Sequence, residues 1–234
     1  MITETLTTFS SLLRRDRRLL TSPPELSGSD ARTVPAGFET PQRPAAWGLE
    51  VLTQIEWRRF EALMEAFFQQ AGLMTRTRSL GPGQGVDIWL YSRHQAGQAV
   101  SVARCRQQME RKVLMAADVA ALKETMTAQQ VAHGQWVVGA AVEMSQEARA
   151  LAKQERIQCM DAAGLLAVIK ARPQAQQAQL LAVALQGDYW RPTCPGCGFK
   201  MVGAAPKERS GPGHWACASS HGCQLSWPAV EMPA

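Results

Sequence analysis

Four cysteines near the end of the chain form the clearest chemical pattern in the sequence. Cys194 and Cys197 lie in the segment CPGC, and Cys217 and Cys223 lie in CASSHGC. Two such pairs can bring four thiolates to about 2.3 Å from one ion, which is the tetrahedral arrangement of a structural zinc site. The spacing therefore predicts one Zn²⁺ bound by these four residues.

Two histidines lie close to the second cysteine pair. His214 precedes the pair and His221 lies inside it, so the sequence leaves open whether either replaces a cysteine. The metal is expected to be structural, because a segment of about 40 residues cannot build a sufficient hydrophobic core unaided.

A second pattern lies in SVARCRQQ, residues 101–108. The longer segment AVSVARCR predicts a strand, on which side chains two residues apart point to the same face. Arg104 and Arg106 therefore share one face of the predicted sheet. Guanidinium groups have donors only and stay charged, so they suit phosphate and cannot ligate a metal ion.

The pattern from Trp47 onward predicts the elements that position these residues. WRRFEALMEAFFQQAG carries apolar residues at helical spacing, and LMTRTRSL, VDIWLY and AVSVARCR predict three strands. Four segments continue the chain as helix, strand, helix and strand, and a last helix follows: MAADVAALKETMTAQQV, QWVVGAAV, QEARALAKQ capped by Ser145, IQCMD and AAGLLAVIKA. The order αβββαβαβα predicts an α/β fold with a mixed sheet flanked by helices.

Composition divides the chain into four parts. Residues 1–46 are rich in Ser, Thr, Pro, Arg and Glu, and we expect them to form a flexible N-terminal arm. Residues 47–171 carry the α/β domain, and residues 172–188 read as a polar connector with a short helix. In residues 189–234 the composition shifts to Cys, Gly, Pro and Trp, which indicates a second, small domain.

Charge and hydropathy narrow the functional classes. A formal net charge of +5 and a pI of about 9.1 mildly favour a polyanionic partner. No stretch approaches the ~20 apolar residues of a membrane span, and the N-terminus lacks the pattern of a secretory signal. We therefore expect a cytoplasmic protein without membrane contacts, in which clustered cysteines bind metal rather than form disulfides.

The cysteine-rich segment resembles the zinc-ribbon repeats at the C-terminus of bacterial type I DNA topoisomerases. The resemblance spans about residues 188–228 and rests on CPGCGFKMV and HWACASSHGC. Members of that family commonly bind single-stranded DNA by stacking bases on aromatic side chains. The resemblance implies DNA contacts by Trp190, Phe199, Lys200, Trp215 and Trp227. At least one of the two residues Phe199 and Trp215 is expected to pack the small core instead.

Residues 47–170 resemble the Mrr-like restriction endonucleases. The motifs are WRRFEALMEAFFQQAG, GPGQGVDIWLY, VSVARCR and WVVGAAVEMSQEARALAKQERIQCMDAAGLLAVI, in that order. The resemblance implies a restriction-endonuclease-like fold of the PD-(D/E)xK type and a Mg²⁺-dependent DNA endonuclease, in which the metal polarises the phosphate and activates a water. The family's metal-binding Asp matches Asp87, and a frequent accessory acid on the first helix matches Glu61.

The chain departs from the family where the second metal motif should stand. Aligned on VSVARCR, the family's Gln-x-Lys becomes Arg104-Cys105-Arg106. Two unit charges at ~4 Å repel by about 4 kcal/mol at a surface-like dielectric, and a divalent ion doubles this to about 8 kcal/mol. The two arginines could instead hold a DNA backbone or pair with Asp87. Binding thus survives the replacement more easily than cleavage.

A second Glu-x-Lys stands six residues further on, at Glu110 and Lys112 in ERK. It could enter the site if the third strand runs longer or bulges. A charged loop after the strand is the other interpretation, and the distance from Asp87 favours it.

Three functions are compatible with these motifs. The first is a DNA-binding protein of the Mrr-like family with doubtful phosphodiesterase activity. The second is an active Mg²⁺-dependent restriction endonuclease that cleaves foreign or modified DNA, through Asp87 with Glu61 or with Glu110 and Lys112. The third is a non-catalytic interaction module for DNA-processing partners.

Overall fold

The computed structural model describes five stretches of the chain, which are residues 40–93, 97–109, 112–204, 213–219 and 223–228. Most of the predicted N-terminal arm, residues 1–39, lies outside these described residues, as do Glu110 and His221.

The larger domain alternates helices and strands as the sequence predicts. Its helices are α1 (Leu49–Gln54), α2 (Trp57–Gln70), α3 (Ala116–Ala128), α4 (Gln146–Gln154), α5 (Ala162–Lys170) and α6 (Gln174–Ala184). Its strands are β1 (Leu73–Gly81), β2 (Gly85–Ser92), β3 (Ala99–Arg106), β4 (Val113–Leu114), β5 (Gly134–Val138), β6 (Glu143–Met144) and β7 (Ile157–Met160). The predicted αβββαβαβα series is confirmed, with α1 before it, α6 after it and two short strands, β4 and β6, that the sequence did not predict.

Five strands form one mixed sheet in the order β1-β2-β3-β5-β7. The first three are antiparallel neighbours, because short connections join them, whereas β3, β5 and β7 run parallel because helices α3 and α4 form the crossovers. The β1–β2 turn needs glycine at Gly81, Gly83 and Gly85, whose φ angles lie between +74° and +94°. The strands that carry Asp87 and the two arginines are therefore adjacent.

Each face of the sheet has its own hydrophobic core. On one face, Val86, Ile88 and Leu90 of β2 pack with α1, α2, α5 and α6. On the other face, Val102 of β3 and Trp136 of β5 pack with α3 and α4. Because strand side chains alternate, residues between those of the first core point toward α3 and α4.

Helix α6 belongs to the first core. Leu180 and Ala184 are fully buried there, and Leu185 and Tyr189 continue the contact. The segment predicted as a connector, residues 172–188, thus packs its helix against the domain. The spacing of four residues between Leu180 and Ala184 places both on one helix face, which explains the packing.

The cysteine-rich segment forms a small sheet with its own core. Strands β8 (Met201–Ala204), β9 (His214–Cys217) and β10 (Ser226–Pro228) are antiparallel in the order β10-β9-β8. Cys194, Met201 and Trp215 are buried at its centre. Among all described residues, none of the helices combines the length and apolarity that crossing a bilayer requires.

Candidate functional site

A row of charged residues crosses strands β1, β2 and β3. Arg78 faces Asp87, and Asp87 faces Arg104, as direct neighbours in the two antiparallel pairs. All three side chains lie on the α3–α4 face, since they alternate with residues of the first core. The register thus brings the predicted acid and the predicted arginine together.

Arg104 holds Asp87 at two points. The Arg104 Nε lies 2.7 Å from Asp87 Oδ1, and its Nη2 lies 3.0 Å from Oδ2. Arg104 also donates to Thr125 Oγ1 of α3 at 3.0 Å. Asp87 is fully buried and Arg104 is 8% exposed, so this is a desolvated, two-point ion pair of the strong kind.

Arg78 is a second cation on the same carboxylate. Its Nη2 lies 3.2 Å from Asp87 Oδ2, while 60% of the Arg78 side chain is exposed. The guanidinium also lies over the Trp89 ring, 5.5 Å from the centroid. Sequence reasoning missed Arg78. The alternation in LMTRTRSL indicated its face, but the strand register that places it opposite Asp87 is not readable from the sequence.

Arg106 lies on the same face but does not contact Asp87. Its Nε donates to the Gln84 carbonyl at 3.0 Å, and its Nη1 lies 3.8 Å from Asp118 of α3. Its guanidinium also stacks over Trp136, 5.0 Å from the ring centroid. Burial lowers the pKa of Arg106 from its ordinary value. Arg106 thus joins the β1–β2 turn to α3.

Glu61 lies on the opposite side of the sheet from Asp87. It projects from α2, accepts from Ser79 Oγ at 2.7 Å and pairs with Arg58 at 3.0 Å. Burial raises the pKa of Glu61 to about 7, although Ser79 and Arg58 partly offset this effect. The structure therefore brings Asp87 together with Arg78 and Arg104, and gives Glu61 different partners.

The alternative motif at ERK lies beyond the third strand. Strand β3 ends at Arg106, and Glu110 lies outside the described residues. Lys112 is exposed, and its carbonyl accepts from the backbone N–H of Glu143, next to the short β4–β6 pair.

The donor set around Asp87 does not fit Mg²⁺. That ion needs oxygen ligands in octahedral geometry and is usually held by one or two carboxylates. Both oxygens of Asp87 accept from guanidinium groups instead. The side chains at the second motif are cations, which repel a divalent ion.

The four predicted cysteine ligands converge on one point. Their Sγ atoms all lie within 4.8 Å of one another. Cys194 Sγ is 3.7 Å from Cys223 Sγ, and Cys197 Sγ is 3.3 Å from Cys217 Sγ. Four thiolates at about 2.3 Å from a tetrahedral ion lie about 3.8 Å apart. The cluster thus fits a metal ion.

Local backbone geometry shapes the first cysteine pair. Gly198 donates to the Cys194 carbonyl at 2.9 Å and has a φ of +78°, which favours glycine. A Cβ on Gly196 would lie 3.4 Å from Cys223 Sγ and 2.8 Å from Leu225 Cδ1, so a larger residue there would displace the Leu225 side chain. His214 lies in β9 and is not among the four converging ligands of the described residues.

The aromatic residues of the ribbon differ in exposure. Trp215 is 9% exposed and belongs to the small core, and Trp190 packs edge-on against it at a centroid distance of 5.8 Å. Phe199 and Trp227 are half-buried. Of the two residues Phe199 and Trp215, at least one of which was expected to pack the small core, Trp215 does so.

Lys200 contacts the larger domain through Glu56, which sequence reasoning missed. Glu56 caps α2 by accepting from Arg58 N at 3.0 Å, and its side chain also accepts from Lys200 Nζ at 3.2 Å. Thr193 donates to it from both N and Oγ1, at 3.3 and 3.1 Å, and accepts from Trp57 Nε1 at 2.9 Å. Burial lowers the pKa of Lys200, and Glu56 opposes that effect.

The chain is similar to the solved MspJI restriction endonuclease in complex with a 27-mer oligonucleotide, with 15% sequence identity and a TM-score of 0.39. That likeness covers 70% of this chain and only 40% of the MspJI chain. None of the curated proteins matches the sequence. The model of the restriction endonuclease family Mrr_cat matches residues 52–169, which is just over half of the 234 residues. The chain therefore belongs to the Mrr-type restriction endonuclease family.

Proposed function

We propose that this restriction endonuclease-family protein binds DNA without cleaving it. The observation that carries the proposal is the two-point ion pair of Arg104 with Asp87, at 2.7 and 3.0 Å. It puts a guanidinium at the position where family members carry a Gln, and it occupies the carboxylate that would hold Mg²⁺. The nuclease scaffold is kept, while the means of activating a water is lost.

Phosphate contacts would come from the arginines whose donors are not all used by Asp87. Arg78 is 60% exposed and gives Asp87 one N–H at 3.2 Å, so further donors of its guanidinium can bind phosphate. Arg106 lies beside the glycine turn and is partly exposed. Arginine suits this task because its planar fork binds phosphate at two points.

The cysteine cluster would bind one structural Zn²⁺ and hold the ribbon's aromatic residues. Phe199 and Trp227 are the two half-buried candidates for stacking on single-stranded DNA, because Trp215 is enclosed by the small core. Lys200 would act indirectly, by fixing the ribbon to Glu56. A cytoplasmic location agrees with this proposal, since reducing conditions keep thiols available for metal.

DNA binding is tested by fluorescence anisotropy with the full chain at several salt concentrations. Affinity should fall steeply as salt rises, because bound phosphates release counterions. Arg78→Ala should weaken duplex binding about threefold to tenfold. Arg149→Ala is the matched control, because Arg149 is exposed on α4 and the change removes the same charge. Binding that is absent, or insensitive to salt, would favour the non-catalytic interaction module.

Cleavage is tested on plasmid DNA, methylated and unmethylated, with Mg²⁺ or Mn²⁺. The wild-type protein should leave the plasmid intact. Robust cleavage that is lost in both Asp87→Ala and Lys112→Ala would overturn the proposal and favour the active endonuclease that uses ERK.

A further inference from the structure

Strand β1 forms one edge of the five-stranded sheet, and β7 forms the other. β1 runs for nine residues, from Leu73 to Gly81, whereas β7 has only four. In the described part of the chain, β1 pairs with β2 alone, so its second edge offers unpaired backbone N–H and C=O groups. An edge of this length is a template on which another strand can add.

On the α3–α4 face of the sheet, the side chains nearest this edge are open to solvent. Met74 is 47% exposed, the Arg78 side chain is 60% exposed, and Arg76 between them is exposed as well. Tyr91 and Trp89 of β2 face Met74 and Arg76 across the strand pair and are half-buried. Because strand side chains alternate, all five lie on one face and form an exposed strip beside the free edge.

The exposed strip has the composition of a protein-binding surface. The centres of protein interfaces are enriched in Trp, Tyr, Met and Arg and depleted in Lys, Glu and Asp, and the strip contains only the enriched types. Surfaces that bind phosphate use Lys as well as Arg, whereas both cations of the strip are Arg. The guanidinium of Arg78 lies over the Trp89 ring, 5.5 Å from its centroid, so part of the strip is ordered before a partner binds.

The two arginines determine the charge of a strand that fits this edge. Side chains two residues apart on a strand lie about 6.8 Å apart on one face, so Arg76 and Arg78 face alternate residues of an added strand. Carboxylates at those positions form favourable cross-strand pairs, whereas cations there are repelled. Arg78 gives Asp87 one N–H at 3.2 Å, which leaves further donors of its guanidinium for a partner.

A second copy of β1 does not fit the free edge. Full-length antiparallel pairing of two copies is centred on Thr77, and it would place Arg76 of one copy directly opposite Arg78 of the other. Like charges in direct cross-strand pairs are destabilising, and charged side chains commonly protect an edge against self-pairing. The residues that disfavour a second copy therefore favour an acidic strand.

On its other face, β1 is fastened to α2. Thr75 Oγ1 accepts from Gln69 at 2.9 Å and donates to Glu65 at 3.0 Å, and Ser79 Oγ donates to Glu61 at 2.7 Å. These hydrogen bonds hold the strand extended, which lowers the entropy lost when another strand pairs with it. Since this face of β1 carries threonine and serine, β-branched side chains of an added strand suit it.

We propose that the free edge of β1 binds an extended acidic segment of a protein partner, which adds antiparallel to the five-stranded sheet. Carboxylates at alternate positions of that segment pair with Arg76 and Arg78, and the residues between them lie on the α2 face. Backbone hydrogen bonds supply the affinity, and the alternating side chains supply the specificity. The inference goes beyond DNA binding and does not depend on it, because a nucleic acid backbone cannot continue a β-sheet.

The probe is a fluorescent peptide as long as β1 in which glutamate alternates with valine, titrated with the full chain in anisotropy measurements. One control peptide has lysine in place of glutamate, and another has the same glutamates and valines in an order that does not alternate. The wild-type protein should bind the alternating acidic peptide about tenfold more tightly than either control. Methylating the backbone nitrogens of every second residue should abolish binding in one frame and spare it in the other, because only one side of an added strand pairs with β1.

Variants of Arg76 assign the charge preference to this edge. Arg76→Glu should remove or reverse the preference for the glutamate peptide over the lysine peptide, and Arg76→Gln should give an intermediate preference. Arg149→Glu is the matched control, because it makes the same change of charge at an exposed position of α4, and it should preserve the wild-type preference. Urea unfolding of each variant measures whether the sheet is intact.

The outcomes separate this inference from the proposed function. Absent binding, equal affinity for the three peptides, or binding that survives methylation in both frames overturns the added strand while DNA binding stands. Self-association of the wild-type protein that the acidic peptide reverses would put a second copy on the edge and overturn the partner. Duplex affinity that falls far more in Arg76→Glu than in Arg149→Glu, without peptide binding, would assign the exposed strip to DNA and overturn the inference as well. Peptide binding as expected in a protein that binds no DNA overturns the proposed function alone.

Discussion

Asp87 and Arg104 face each other directly across strands β2 and β3, and their side chains form a two-point ion pair closed off from solvent. The pair is therefore part of the sheet itself, because the backbone register sets the distance between the two charges. Because both Asp87 oxygens already accept hydrogen bonds from guanidinium groups, binding a metal ion there would require breaking these bonds.

The first prediction concerns the stability that depends on this pair. Arg104→Met leaves Asp87 buried with only Arg78, and should lower the free energy of unfolding by about 3–5 kcal/mol. Asp87→Leu should cost a similar amount, whereas the double variant should recover most of the loss because no buried charge is left unpaired. Urea unfolding of the four proteins measures this cycle. Additive losses would contradict the assigned ion pair.

The second prediction concerns metal binding. The wild-type protein should bind no Mn²⁺ at Asp87, whereas the double variant Arg104→Gln with Arg106→Lys restores an acceptor and a compact cation. It relieves a repulsion of about 8 kcal/mol between the ion and a nearby guanidinium, so calorimetry should detect Mn²⁺ binding. Adding Asp87→Asn to the double variant should abolish it. Weak plasmid nicking should accompany Mn²⁺ binding only if the residues around Asp87 still hold the catalytic groups in position.

The third prediction concerns zinc. Elemental analysis should give about one zinc per chain, and Cys194→Ser should lose it while the larger domain stays folded, because the ribbon core is separate. Cys159→Ser is the matched control, since Cys159 lies in β7 and away from the cluster. Full zinc retention by a chain truncated after residue 188 would refute the assignment.

The fourth prediction concerns pH. The pKa of Glu61 is raised from 4.5 to about 7, so between these values the unfolded chain has released a proton that the folded chain keeps. The unfolded state then binds fewer protons, and the free energy of unfolding falls as pH rises through this window.

Replacing Glu61 with Gln removes this contribution. The wild type should lose about 1–3 kcal/mol more of its free energy of unfolding than Glu61→Gln does when the pH rises from 4.5 to 8. Urea unfolding at both pH values measures the difference. Glu65→Gln is the control on the same helix, because Glu65 is only half-buried. Its free energy of unfolding relative to the wild type should change less between the two pH values. An equal shift in both variants would mean that burial of Glu61 is not the cause.

The order of elements was predictable because its signals are local. Alternation in AVSVARCR indicated that Arg104 and Arg106 share a face, and the glycines of GPGQG indicated the turn before Asp87. The spacing of the four cysteines likewise indicated which residues would converge. Each of these inferences uses residues that are neighbours in the sequence or belong to a known motif.

The remaining features depend on contacts between distant residues. Glu56 and Lys200 are 144 residues apart, and nothing in the sequence around Glu56 distinguishes it from an ordinary helix cap. Arg78 reaches Asp87 only through the strand register. The burial of α6 similarly depends on which helix face meets α2. Such pairings are decided by packing, which local pattern cannot reveal.

The carboxylate of Glu56 serves two structures at once. It caps the first turn of α2, and it accepts from Thr193, the residue before the first cysteine ligand. We therefore expect metal binding by the cysteines and ordering of the helix terminus to be linked equilibria, in which each strengthens the other by the same factor. Removing such a metal with a chelator should consequently speed amide exchange at the first turn of α2, in the larger domain.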